Sequence, residues 1–88
     1  MSRANMRERI AELNEDALFA DGFDDALMGV VYRAAQPPVA CYFYAECIKV
    51  LMKDGLSHED AVDYFEYNVV GAYVGENTPV FMEEMSSG

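Results

Sequence analysis

The chain has no tryptophan, one histidine, two cysteines and, beyond Lys53, no lysine or arginine at all. Each shortage removes a class of function. Cys41, Cys47 and His58 are the only soft metal ligands, too few and too widely spaced for a structural zinc, which usually takes four, often in close pairs. Two thiols also make no disulfide framework. The first ten residues, MSRANMRERI, are charged and lead into no apolar segment, so no secretory signal is read and the cysteines are expected reduced, in a cytosol. No apolar run approaches the ~20 residues that a membrane span needs. Six bases stand against 16 acids, a net charge of −10. That argues against direct binding to nucleic acid, whose affinity comes mainly from Lys and Arg on phosphates.

Catalytic signatures are missing too. Neither glycine-rich phosphate-binding pattern is present. Asp54, Glu59, Asp60 and Asp63 lack the alternating acids, central glycine and terminal glutamate of a calcium loop, and read as a solvated helix start. His58 has no serine or cysteine partner identifiable in the sequence. The expectation is a non-enzymatic protein with no cofactor and no metal.

What is present is an apolar fraction of 52% in 88 residues, enough for one folded domain with a modest core. A chain this small often completes its burial by association, so a homodimer is expected. Charge is uneven along the chain: residues 1–25 hold seven acids and three arginines, residues 26–53 one acid and three bases, residues 54–88 eight acids and no Lys or Arg. A wholly acidic last third suits a basic protein partner, or simply solubility.

The pattern predicts an α+β domain in the order N-terminal helix, β-hairpin, helical hairpin, extended C-terminal turn or short third strand. Residues 1–22 are assigned to the N-terminal helix, 23–82 to the α+β core and 83–88 to a tail. Asn5 and Glu8 have capping-box spacing, and Met6, Ile10, Leu13 and Ala17 line one face of a helix from Asn5 to Phe19. LMGVVYR (Leu27 to Arg33) and VACYF (Val39 to Phe43) have strand composition. AAQPP lies between them as a loop of about five residues, because Pro37 and Pro38 cannot donate to a ladder. Tyr44 to Lys53 is an amphipathic helix with Tyr44, Cys47, Ile48 and Leu51 on one side. Ser57 caps a third helix, with Asp60 three residues on. Val62, Phe65, Val69 and Tyr73 form its apolar face, and Gly75 is its expected stop. Val80 to Met82 fits either a strand or the start of a C-terminal helix.

Three blocks, GVVYRAAQPP (Gly29 to Pro38), CIKVLMKDGLS (Cys47 to Ser57) and above all YFEYNVVGAYVGENTP (Tyr64 to Pro79), resemble a family of small, mostly uncharacterised proteins of bacteriophages and bacteria. The resemblance runs from about Phe23 to Pro79. It implies a phage or prophage source and a cytoplasmic setting in a bacterial host, and it brings no catalytic residues. Such proteins often have an acid where this chain has Phe43, which leaves the second helix here without that cap.

Two groups of residues are candidate sites. Glu59, Asp63, Tyr64 and Tyr67 lie off the main apolar face of the third helix and form a candidate partner-binding surface, since tyrosine buries its ring while its hydroxyl stays wet. Alternatively, the two tyrosines cover a small core from the side. Arg33, Gln36, Glu66, Asn68, Glu76 and Thr78 are the polar residues of the resembling blocks. They converge either as a small binding site or, the favoured reading, as an internal network tying hairpin, helix and terminal turn together. The leading function is a protein-binding accessory factor that modulates or inhibits a host component, conceivably of a defence system. The alternatives are a small-molecule-binding or enzymatic domain built on Arg33, Glu66, Asn68 and Glu76, and a purely structural homo-oligomer.

Overall fold

Helix α1 begins where Ser2 accepts a hydrogen bond from the Asn5 amide on its hydroxyl, and it runs Arg3–Leu13 in a computed structural model that describes residues 2–85. It is shorter than its periodicity predicts, and Asn5 lies inside it. Asn14 ends it: the Asn14 backbone is extended and its side-chain amide donates to Pro38 O at 2.8 Å. Only Ile10 of the predicted stripe is buried. Residues 15–23 then cross to a single 3-10 turn, Asp24–Ala26, which delivers strand β1, Leu27–Arg33.

β1 pairs antiparallel with β2, Gln36–Phe43. The connection is the two residues Ala34 and Ala35, not the five predicted, and Arg33 pairs with Gln36. Both prolines lie inside β2. Between the Arg33–Gln36 and Val31–Val39 pairs, two residues of β2 oppose the single Tyr32. This bulge takes up Pro37 and Pro38, because it interrupts the ladder where their missing N–H groups would be needed. A second irregularity falls between Leu27 and Gly29.

α2, Tyr44–Lys53, follows β2 directly and occupies its predicted span, with no side-chain cap at Phe43. Cys47, Ile48 and Leu51 are buried on its inner face. Asp54 and Gly55 turn the chain into α3, His58–Phe65, whose Ser57 hydroxyl accepts from the Asp60 amide at 3.1 Å. From Glu66 to Val70 the helix widens into a π turn, closed by Gly71 N–H on Glu66 O at 3.1 Å. The helix therefore stops at Gly71 rather than Gly75. A Cβ on Gly71 would stand 3.2 Å from both the Glu66 and Tyr67 carbonyl oxygens, which explains glycine at this close approach.

After a loop, β3, Val80–Met82, pairs parallel with Cys41–Phe43, giving a sheet in the order β1-β2-β3. The architecture is α+β, and the third strand is formed. The core lies between sheet and helices, and Phe65 is its hub. Its ring meets Phe23, Tyr44 and Phe81 edge-on, at centroid distances of 5.5, 5.3 and 5.1 Å. Truncating so well packed an aromatic typically costs about 3–5 kcal/mol.

Candidate functional site

The capped start of α3 and its buried Ala61 and Phe65 fix which side of the helix faces out. Glu59, Asp63 and Tyr64 are on the solvent side. The π turn changes the spacing after Phe65, and no residue from Glu66 to Val70 is buried. Tyr67 is 85% exposed and Tyr73, beyond the turn, 76%, while Tyr64 is 48% exposed. Regular α spacing predicts Tyr73 on the buried face with Val69. The helix ends at Gly71 before reaching it, so Tyr73 lies in the following loop, in solvent beside exposed Val74. All four predicted partner-binding residues thus reach solvent, and Tyr73 extends the set.

The six polar residues of the resembling blocks form no single hydrogen-bonded group among the described residues, although Asn68 and Thr78 line one cleft and Arg33 and Thr78 another. Arg33 donates through Nη2 to Pro37 O at 2.8 Å and to Glu76 O at 2.6 Å, so it ties the hairpin to the C-terminal loop. Its Nε is buried with no acceptor among the described residues. Glu76 takes part through its backbone carbonyl. Thr78 braces the same loop, its hydroxyl donating to Gly75 O at 2.7 Å and accepting from the Val74 amide at 2.9 Å. Gln36 is exposed at the hairpin turn. Asn68 is exposed and donates to Tyr64 O one turn back. Glu66 lies near Tyr44, on α2.

Sequence reasoning missed two members of this network. Asn14 donates to Asn77 Oδ1 at 3.0 Å as well as to Pro38 O, and the Leu18 amide donates to Asn77 O at 3.2 Å. An asparagine just after the last apolar position of α1 was the available signal for a helix end. Its partner, 63 residues away, has no local signal. Beside the braced loop are two clefts. One, of about 260 Å3, includes Leu18, Val69 and Phe81. The other, of about 270 Å3, includes Arg33, Val70 and Tyr73.

A larger groove of about 510 Å3 opens between α2 and α3. Ile48, Met52 and Val62 provide its apolar surface, with Tyr44 at one position and Lys49, His58 and Glu83 as polar lining. Burial first, then the negative charges of Glu66 and Glu83, raise the Tyr44 phenol above its ordinary range. Both cysteines are free and buried. Burial raises the Cys41 thiol, and burial together with nearby Glu46 pushes the Cys47 thiol up to about 12. These thiols stay protonated at neutral pH and make poor nucleophiles. His58, exposed at the start of α3, is on the groove and not in a cysteine cluster. Among the described residues no group of three or more His, Cys, Asp or Glu is arranged to hold a metal ion. Comparisons with protein-family models, with curated proteins and with solved structures found no match for this chain.

Proposed function

We propose that the protein is a small, acidic, non-enzymatic binding factor of phage or prophage origin, acting in the cytoplasm of a bacterial host. On this reading it modulates or inhibits a host protein, such as a defence component. The observation that carries the reading is the solvent exposure of Tyr64, Tyr67 and Tyr73 on and after a helix whose outward side also holds Glu59 and Asp63. Large rings held in water by a packed helix are unfavourable in isolation and favourable as contact area. The acids beside them select a basic partner, since no Lys or Arg follows Lys53 to offset them.

The test is capture from host lysate with mass spectrometry, run in parallel with a Tyr64→Ser/Tyr67→Ser variant. The expected result is a basic protein retained by the wild type and lost from the variant. Retention of nothing by the wild type overturns the reading. A second reading, a small-molecule site, is favoured by one observation: Arg33 lies beside an open cleft with its Nε unsatisfied. A metabolite that co-purifies and is lost on Arg33→Met would establish it instead.

A further inference from the structure

We propose that the groove between α2 and α3 seats an amphipathic helix of a partner protein, with its apolar stripe on Ile48, Met52 and Val62 and a lysine or arginine at one end meeting Glu83. This rests on the protein-binding reading and adds a second contact surface, distinct from the exposed tyrosines.

The shape of the groove selects the class of occupant. Its walls are two consecutive helices of one helical hairpin, so a third helix completes the layer by side-chain packing. The backbone edges that would accept a strand belong to the outer strands β1 and β3, and neither helix wall offers one. On α2, Tyr44, Ile48 and Met52 recur every fourth residue, and on α3 His58 and Val62 do the same. These are the ridges against which a helix packs. Met52 is 41% exposed, although it belongs to an otherwise apolar lining.

Charge selects the end group. Lys49 is the one lysine on the groove, and it is already paired with Glu46 at 3.1 Å. The other ion pairs among the described residues, Arg7–Asp24 and Arg9–Glu12, are on other elements. Glu83 lines the groove beside Tyr44, with no basic partner among the described residues. A carboxylate beside a phenol on the same groove is a seat for a cation, chiefly by ion pairing. A second copy of this chain is disfavoured as occupant by its own charge of −10.

Isotope-labelled protein is titrated with two synthetic helical peptides of roughly 18 residues, long enough to hold a helix. They share one leucine stripe and differ only in lysine or glutamate at the end of that stripe. The expected result is amide shifts at Ile48, Met52, Val62 and Glu83, with the lysine peptide about tenfold tighter, the effect of one well-placed ion pair. Met52→Glu should abolish the shifts. Glu83→Gln, at an exposed position next to β3, should remove the preference for lysine and keep the fold. Equal affinity for both peptides overturns the cation seat. Shifts confined to Tyr64, Tyr67 and Tyr73, or no shifts, overturn the groove. Shifts at the groove that grow with protein concentration alone overturn it in favour of a second copy. A partner captured from lysate while both peptides leave the groove unmoved defeats this proposal alone. Peptide binding with nothing captured defeats only the accessory-factor reading.

Discussion

Ala35 is the one non-glycine residue with a left-handed backbone among the described residues, at φ 59. The two-residue connection between Arg33 and Gln36 imposes it, and an L-residue with a Cβ is disfavoured there by about 1–2 kcal/mol. Ala35→Gly removes the clash and adds some unfolded-state entropy, so a net gain of about 0.5–1 kcal/mol is expected. Urea denaturation reads it, and an unchanged or lowered midpoint would contradict the strain assigned to the turn. The buried thiol makes the opposite kind of contribution. Cys47 has its folded pKa raised from 9.0 to about 12, so the fold favours the protonated form. Its contribution is fully present below pH 9 and is lost as pH rises from 9 towards 12. Tyr42, also raised by burial, acts in the same direction. Stability should therefore fall above pH 9, and less steeply in Cys47→Ala. Urea midpoints of both proteins between pH 7 and 11 decide it; parallel curves would remove Cys47 as a cause.

At the scale of elements, legibility followed locality. α2 was legible to the residue because its stripe, its stop at Asp54-Gly55 and its neighbours all agree. The cap of α3 was legible because Ser57 and Asp60 are three residues apart. The hairpin was legible as two strands but not in its turn. Pro37 and Pro38 excluded themselves from a ladder, and nothing local announces the bulge that admits them. The π turn was illegible for a related reason: nothing local marks Gly71 rather than Gly75 as the stop, and stopping there leaves Tyr73 outside the helix. Of the candidate sites, the exposure of Glu59, Asp63, Tyr64 and Tyr67 could be read from helical spacing. That Arg33 bonds to Pro37 and Glu76 carbonyls, while Asn68 bonds back to Tyr64, could not, since it depends on where the C-terminal loop lands. That loop depends on Arg33, whose two carbonyl contacts are charge-assisted bonds of the kind worth about 1.5–3 kcal/mol. Arg33→Met should cost roughly that much and release the loop first. Hydrogen exchange should then speed up at the Leu18 and Thr78 amides, which bond to Asn77 and Gly75, before it does in α2. Uniform loss of protection would mean that the loop is no separate unit.

The whole molecule combines open sheet edges with a strongly negative charge, and these pull in different directions. The outer edge of β1 is unpaired among the described residues and its seven residues carry no acid, so two copies pairing there would meet little repulsion. A homodimer is the expected state, and a monomer mass by light scattering across micromolar concentrations would rule it out. Charge governs the approach of a different partner. Glu59 and Asp63 are one turn apart on the exposed side of α3, within an acidic last third that holds no Lys or Arg. If that field steers a basic partner, Glu59→Lys/Asp63→Lys should slow association more than it speeds dissociation. Folding should survive, because neither side chain is buried. The loss of negative charge in the first turn of the helix costs only about 0.3–1 kcal/mol. The wild-type association rate should also fall with salt, since exposed charges more than about 10 Å apart are screened at 0.1 M ionic strength. The competing account is that the acids only keep an aromatic-rich surface from aggregating. It predicts a less soluble double variant with unchanged rates. Association rates of wild type and variant at low and high salt separate the two. Equal rates throughout would leave contact at Tyr64 and Tyr67, with no electrostatic steering, as the basis of recognition.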